Sequence, residues 1–271
     1  VGGARQDWGT VGKVEKSPGG VCAAYASRHG YAWVDKRLFM PEQWFTEDDK
    51  DRRDTCNVPK DVTLHSKPPL AVERLHAIRR ENRLPCKYMV ADCLYGQSPA
   101  FLDALDACVG VTALVSMPAE TRCGLQRPLT TDKTSPYKGE GRAKRVGAPA
   151  TQAPVTAEAL AQRLASSCWY RRTVSEGTKG PIAYACARTR VTRRKDGLPD
   201  RTGWLVIKRT LGSSPTYWSS LSHAPASTPW RLFVWLSGVR WAMEQGCEET
   251  KPALAWPRMK CANTPAGITI S

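Results

Sequence analysis

The chain has 271 residues, of which 41% are hydrophobic and 24% are charged. These proportions are ordinary for a globular protein, and the length suffices for one large core or two modest ones. No run of about 18 or more apolar residues occurs, which argues against a membrane-spanning helix. The first residues lack the basic and apolar segments of a signal peptide, and the absence of an initial methionine predicts that residues are missing upstream.

The charge balance is strongly positive. Lys and Arg number 40 against 25 Asp and Glu, which gives a formal net charge of +15. A field of that sign attracts polyanions, and DNA or RNA is the commonest such partner. The alternative is a basic composition inherited from a GC-rich genome. The ten cysteines include no Cys-x-x-Cys pair and the four histidines lack zinc-ligand spacing, so the pattern favours reduced core thiols over a structural zinc site.

The first third of the chain predicts a β-hairpin and then short helical turns. Residues 20–26 and 31–40 are small or apolar segments joined by a short turn that contains Gly30. Two such segments are typical of paired antiparallel strands. The charged stretch from Pro41 to Asp54 follows, and it predicts helical turns and loop.

A βαβ unit is predicted next. From Pro69 onwards apolar residues recur at helical spacing, which predicts an amphipathic helix. Residues 88–92, YMVAD, form a short apolar strand that ends in an acid. Ser98 and Pro99 suit the start of a following helix, and residues 109–116 predict another buried strand. The order strand, helix, strand predicts a sheet with parallel members.

The second half predicts a basic loop and then a β-rich region. Residues 119–153 are polar and rich in Pro and Gly, and their cations include Lys138, Arg142, Lys144 and Arg145. This segment fits a contact to the DNA backbone and a solvated linker equally well. Further along, the pattern predicts a helix at 155–165, strands of an inserted sheet at 169–174, 184–191 and 203–209, and one helix at 234–251.

Two places could carry chemistry. Asp92 follows a buried strand, and strand ends in α/β folds are where catalytic groups protrude; the alternative is a turn aspartate that accepts backbone hydrogen bonds. Arg240, Glu244 and Lys251 share one face of the last predicted helix, where a carboxylate could hold a metal ion and the cations could hold phosphates. The alternative there is an ordinary solvated ion pair, which the residues alone favour.

Ordered motifs along the chain resemble one family of DNA-acting enzymes. Residues 30–44, GYAWVDKRLFMPEQW, and residues 90–96, VADCLYG, resemble two stretches of insertion-sequence transposases of the DDE superfamily, the second being their "ADxxYG" box. Residues 173–182, TVSEGTKGPI, are similar to a signature of insertion-sequence group seven-oh-one. Arg240, Glu244 and Lys251 match the Arg-x3-Glu-x6-Lys part of the catalytic-helix motif, although the tyrosine three residues before that arginine is Ser237 here.

The resemblance implies a mixed α/β fold, an RNase H-like DDE core with a β-rich insertion before the catalytic helix. It divides the chain into 1–118 (core, opening strand missing), 119–232 (insertion), 233–251 (catalytic helix) and 252–271 (an aberrant tail). Asp92 and Glu244 are implied as two of three carboxylates that hold a pair of Mg²⁺ or Mn²⁺ ions. Arg240 and Lys251 are implied to hold DNA phosphates. The implied partners are duplex DNA, at transposon terminal inverted repeats and target sites, and a second copy of the chain, in the bacterial cytoplasm and without a membrane.

Two departures from the family pattern bear on the activity that we expect of this chain. The first family aspartate lies upstream of the stretch matched by residues 1–6, so we expect this chain to be catalytically incomplete. After Lys251 the tail differs from the family segment, but a one-base shift with suitable codons restores it, so we expect a frameshift there. The rivals are a non-catalytic, basic DNA-binding remnant of a transposase and a general Mg²⁺-dependent nuclease with an RNase H-like fold.

Overall fold

A computed structural model describes residues 3–8, 13–27, 30–82, 85–125, 153–177, 180–195 and 198–239. The chain divides into two compact units. The first contains Val1–Pro85, Ala100–Ala104 and Val239–Ser271, and the second contains Cys86–Pro99 and Leu105–Gly238. In the described ranges, no helix has both the length and the apolar character that crossing a bilayer needs.

The first unit contains a three-stranded antiparallel sheet in the order β1 (Gly3–Trp8), β2 (Lys13–Ser27) and β3 (Gly30–Phe39). The β2–β3 pair confirms the predicted hairpin, with Ser27 opposite Gly30 at its closed end. β2 begins well before the predicted segment and pairs there with β1. The sequence of β1, GARQDW, lacks the apolar alternation by which a strand is predicted.

Short helical turns and one longer helix follow in the same unit. The turns are 3-10 segments at Glu42–Phe45 and Glu47–Asp49, followed by α1 (Lys50–Thr55), as the charged stretch predicted. The longer helix, α2 (Lys67–Glu81), confirms the predicted amphipathic helix and buries Leu70 and Leu75. It ends where Asn82 adopts a left-handed backbone, with φ 47°, a conformation that asparagine tolerates better than most residues.

The second unit is built on a six-stranded mixed sheet. β4 and β5 run parallel with helices between them, which confirms the predicted βαβ unit, and every other neighbouring pair is antiparallel. The strand order is β4 (Tyr88–Ala91), β5 (Thr112–Met117), β11 (Tyr217–Ser222), β10 (Leu198–Arg209), β9 (Gly180–Lys195) and β8 (Tyr170–Gly177). The three strands predicted after residue 168 therefore continue the sheet of β4 and β5 through β11.

The remaining described elements are one short strand pair and several helices. A small pair, β6 (Arg122–Cys123) and β7 (Val155–Thr156), precedes α5 (Ala157–Arg163). The other helices are α3 (Cys93–Gly96), α4 (Pro99–Asp106) and α6 (residues 230–239), with a 3-10 turn at Ser166–Cys168. α6 begins four residues before the predicted helix at 234–251, and the part of that prediction beyond residue 239 lies outside the described residues.

Both faces of the sheet are covered, each by a different helix. On one face Leu205 and Ile207 of β10 pack with Leu160 of α5. On the other face Val206 of β10 packs with Phe233 and Leu236 of α6, in a cluster that also contains Leu114 of β5. Because successive strand residues point to opposite faces, the continuous apolar run of β10 suits a strand that is buried on both sides.

Two thiols in this unit are held in their neutral form. Burial raises the pKa of the Cys123 thiol, in the cluster under α5, to about 11. Burial also raises the pKa of Cys186, on β9, to about 11, although the positive charges of Lys208 and Arg172 act in the opposite direction. A thiol whose folded pKa exceeds its unfolded value loses its proton more readily in the unfolded chain, so alkaline pH favours unfolding.

We therefore expect the free energy of unfolding to fall as pH rises from 9.0, the ordinary thiol value here, towards 11. Denaturant unfolding at each pH measures this. The Cys123→Ala and Cys186→Ala substitutions are each expected to change stability at neutral pH as well, so the comparison uses the slope of the unfolding free energy against pH and not its value. Each variant should show a flatter slope than the parent, and slopes equal to the parent's would contradict the prediction.

Candidate active site

Asp92 stands at the carboxyl end of β4, immediately before α3. It has an extended backbone, with φ −76° and ψ 167°, and its side chain is exposed. Its carboxylate Oδ1 accepts a hydrogen bond from the Cys93 backbone N–H at 2.7 Å. Its carbonyl oxygen accepts from the N–H groups of Tyr95 and Gly96, at 3.1 and 3.2 Å. The turn therefore holds Asp92 through both its side chain and its backbone. The Asp92 carboxylate caps the start of α3 and is still exposed to solvent.

Gly96 explains why the segment after Asp92 lies flat on the sheet. A Cβ atom at this position would lie 2.1 Å from the Ser116 carbonyl oxygen and 2.8 Å from Met117 Sδ. The helical turn α3 thus approaches the backbone of β5 so closely that only glycine fits. The glycine of the VADCLYG box is required by packing, and through its N–H bond to the Asp92 carbonyl it sets where Asp92 lies.

α6 is held by both edges of the curled sheet. The rings of Trp235 on α6 and Tyr88 on β4 meet edge to face, with centroids 5.4 Å apart. At Gly238 the helix touches β8, because a Cβ there would lie 2.2 Å from the Val174 carbonyl oxygen. β4, which ends just before Asp92, and α6 therefore belong to one packed arrangement up to residue 238.

Arg188 on β9 fixes the start of α6. Its Nη1 donates to the Thr228 carbonyl at 2.7 Å, and its guanidinium lies 4.3 Å from the Trp204 ring and 5.4 Å from the Trp230 ring. Burial lowers the pKa of this guanidinium. Arg190, two residues along the same face, makes a weaker set of contacts: it reaches the Thr202 carbonyl only at 3.5 Å, and its Nη1 has no hydrogen-bond partner.

The two arginines should respond to different extents to replacement by methionine, which keeps much of the side-chain volume. Arg188→Met removes a charged hydrogen bond and is expected to cost about 1–3 kcal/mol of unfolding free energy. Arg190→Met removes a partly unsatisfied charge and is expected to change stability by less than about 1 kcal/mol. Denaturant unfolding of both variants measures the difference, and a loss at Arg190 as large as at Arg188 would contradict it.

The other predicted site residues lie outside the described residues. These are Arg240, Glu244 and Lys251 of the predicted catalytic helix, and Lys138, Arg142, Lys144 and Arg145 of the basic loop. Ser237, which stands at the position of the family's tyrosine, donates its hydroxyl to the Phe233 carbonyl at 2.7 Å. Among the residues that the structure describes, no group of three or more His, Cys, Asp or Glu side chains could hold a metal ion.

A buried ionic network in the second unit was not predicted. Asp106, at the end of α4, is paired with Arg193 of β9 at 3.2 Å and with His223 at 3.4 Å. Arg193 also pairs with Asp200, and His223 Nε2 lies 3.0 Å from the Val111 carbonyl oxygen. These partners are distant in the chain and each is an ordinary polar residue locally, so spacing could not have identified them. The network ties α4 to β9 and β10.

Comparison with known proteins identifies the family. A model of the DDE superfamily endonucleases matches residues 1–181. This stretch includes β1, β4, Asp92, Gly96 and the start of β9, and it is more than half of the chain, so the chain belongs to the DDE superfamily of endonucleases. No curated protein matches the chain.

Membership confirms the predicted fold class and the general activity. The mixed α/β fold, with a curled mixed sheet and helices, is consistent with a DDE nuclease, as the motifs predicted. A DDE endonuclease acts on DNA, and the net charge of +15 suits that negatively charged substrate. The family generally uses divalent metal ions.

Proposed function

We propose that this protein is a transposase of insertion-sequence group seven-oh-one, which cuts transposon ends and joins them to target DNA. The observation that carries the proposal is the position of Asp92, exposed at the carboxyl end of a strand in a parallel pair, in a chain of the DDE superfamily. A carboxylate placed there is held by the sheet while the following turn leaves room for substrate.

Asp92 and Glu244 would hold the divalent ions in this proposal. Carboxylate oxygens are the ligands that Mg²⁺ and Mn²⁺ prefer, so the donor at Asp92 fits such an ion. The Cys93 N–H bond at 2.7 Å orients that carboxylate before any ion arrives. Ions held there would supply activation of water or a DNA 3′-hydroxyl and stabilisation of the leaving oxygen.

The basic residues would hold the DNA. Arg240 and Lys251 would contact phosphates at the transposon end, and Lys138, Arg142, Lys144 and Arg145 would contact the backbone further away. Phosphate contacts position a duplex without reading its sequence. We propose terminal inverted repeats and target duplex as substrates, and a homodimer that holds two paired ends, because joining requires both ends together.

The test is a cleavage and joining assay with the full chain. Duplexes that carry the element's inverted repeat are incubated with Mg²⁺ or Mn²⁺, and with EDTA as the metal-free control. We expect nicks at the repeat boundary and joined products only when metal is present, and at a low rate, because this chain is expected to be catalytically incomplete. Equal cleavage of duplexes without the repeat would show a general nuclease instead. Binding whose affinity does not fall as salt rises would contradict the phosphate contacts.

A DNA-binding remnant is the second candidate, and the net charge of +15 favours it because charge alone gives binding without chemistry. The same assay separates the two. Salt-sensitive binding to the repeat with no nicking in either metal supports the remnant, whereas metal-dependent nicking excludes it.

The sequence after Lys251 has its own test. We propose that residues 252–271 are encoded in a shifted frame, since synonymous codons for this stretch can spell the family's segment one base away. Sequencing the gene decides this. A shifted frame that contains the family segment supports the proposal, and a DNA sequence without it in any frame contradicts it.

A further inference from the structure

Five aromatic and basic side chains form a cluster on the outer part of the second unit's sheet. They are contributed by β8, β9, β10 and β11 and are here called the aromatic–basic patch: Tyr170, Arg172, Tyr184, Lys208 and Trp218. The patch contains two cations, three rings and no carboxylate. None of these residues belongs to the motifs that indicated the family's catalytic site.

Strand register places these side chains on one face. Tyr170 pairs with Cys186, Cys186 pairs with Lys208, and Lys208 pairs with Trp218, so one row crosses four strands. Arg172 pairs with Tyr184 in the next row on the same face. Three inter-strand steps of about 4.8 Å give this row a length of roughly 14 Å. α6 packs on this same face against Val206, so the patch lies beside α6.

The cations and rings of the patch contact one another. Lys208 Nζ lies 5.0 Å from the Tyr184 ring and 5.5 Å from the Trp218 ring, and these two rings meet edge to face at 5.6 Å. The Arg172 guanidinium lies 5.5 Å from the Tyr170 ring. The charges of Lys208 and Arg172 both oppose the burial that raises the pKa of Cys186, as expected for cations that lie around that thiol.

Two of the rings remain open to a ligand. Tyr170 is 52% exposed and Trp218 is 39% exposed, although each carries a large apolar surface. Exposed rings beside cations are the combination that single-stranded nucleic acid uses, because its phosphates need positive charge and its unstacked bases need an aromatic face. In a duplex the base faces are already stacked on one another, so a duplex could use the cations but not the rings.

We propose that the aromatic–basic patch binds an unpaired segment of DNA, with phosphates at Arg172 and Lys208 and bases stacked on Tyr170 and Trp218. This inference rests on the proposed function, because a cut in one strand leaves ends that can unpair from the duplex. It adds a surface that receives unpaired bases on the sheet face beside α6. An acidic peptide would satisfy the cations but leave both exposed rings without a partner.

The test measures binding of a labelled oligothymidylate of roughly ten nucleotides, within the usual range of single-strand sites, to the full chain by fluorescence anisotropy. Trp218→Ala and Tyr170→Ala should each weaken this binding by roughly 5- to 150-fold, the range for loss of one stacked base. The same variants should bind duplex of equal length within about twofold of the parent. Trp218→Phe keeps a ring and should restore most of the single-strand binding.

A matched control lies close to the patch. Arg171→Ala removes a cation from the opposite face of β8. It should not weaken single-strand binding beyond about twofold, whereas Arg172→Ala should weaken it and reduce its salt dependence by about one ion. Equal binding by the parent, Trp218→Ala and Tyr170→Ala, or competition by polyglutamate as strong as by oligothymidylate, would overturn the proposal.

The readouts separate this proposal from the proposed function. If the parent chain never nicks DNA but the patch variants lose single-strand binding, the proposed binding site is supported and the transposase activity is contradicted. Metal-dependent nicking with unaltered single-strand binding in those variants supports the activity and contradicts the patch. Thermal unfolding of each variant shows whether a loss of single-strand binding comes from misfolding. If Trp218→Ala or Tyr170→Ala misfolds, the binding of Trp218→Phe and Arg172→Ala tests the proposal instead.

Discussion

An Asp92→Asn variant is expected to lose the metal-dependent DNA cleavage that the parent chain retains, by a factor on the order of a thousand. Asparagine has the same shape and keeps an oxygen that can accept the Cys93 N–H bond, so the turn into α3 should persist. What is lost is the negative charge that would attract a divalent ion. A metal ion contributes several kcal/mol to the stabilisation of a phosphoryl-transfer transition state, and about 1.4 kcal/mol corresponds to tenfold in rate.

The measurement is the nicking rate of an inverted-repeat duplex in Mg²⁺ and Mn²⁺, with Mn²⁺ binding followed by calorimetry. Asp48→Asn is the matched control, because Asp48 is also exposed and its replacement changes the net charge by the same amount. Both variants should bind duplex DNA at least as well as the parent, since each removes one repulsive charge. Cleavage by Asp92→Asn within about tenfold of Asp48→Asn would show that Asp92 holds no essential ion.

The part of the site that could be predicted from sequence is local. Asp92 follows an apolar run long enough for one strand, and a helix start with Pro99 comes soon after, so both the βαβ unit and the strand-end carboxylate were predictable. The βαβ unit agreed with the structure, while the role of Asp92 in metal binding stays a prediction. Periodicity also predicted the β2–β3 hairpin and α2, because each has a clear apolar spacing of its own.

The parts that escaped prediction depend on distant partners. β11 has the sequence YWSSLS, in which Ser219 and Ser222 are buried, so its strand character comes from the pairing with β5 and β10 and not from hydrophobicity. The predicted strand at 109–116 began too early, since Val109 is 87% exposed and the strand starts at Thr112 after the turn at Gly110. The aromatic–basic patch likewise exists only once four strands are in register.

Replacing Gly96 with alanine is the second change with a large expected effect. The added methyl group would lie 2.1 Å from the Ser116 carbonyl oxygen, which belongs to a paired strand and cannot turn aside as the Met117 side chain can. The turn must therefore move away from β5, at a cost of about 1–3 kcal/mol in unfolding free energy. Because the Gly96 N–H bonds to the Asp92 carbonyl, the carboxylate moves as well, and a displacement of about 1 Å can lower a rate roughly a hundredfold.

Gly110→Ala separates these two effects. Gly110 has φ +77°, where alanine costs about 1–2 kcal/mol, but no atom lies within 4 Å of the added methyl group. The two variants should thus lose similar stability in denaturant unfolding, while only Gly96→Ala should slow metal-dependent nicking. If both variants nick DNA at equal rates when compared well below their unfolding transitions, then the approach of α3 to β5 sets stability alone, and the position of Asp92 does not depend on Gly96.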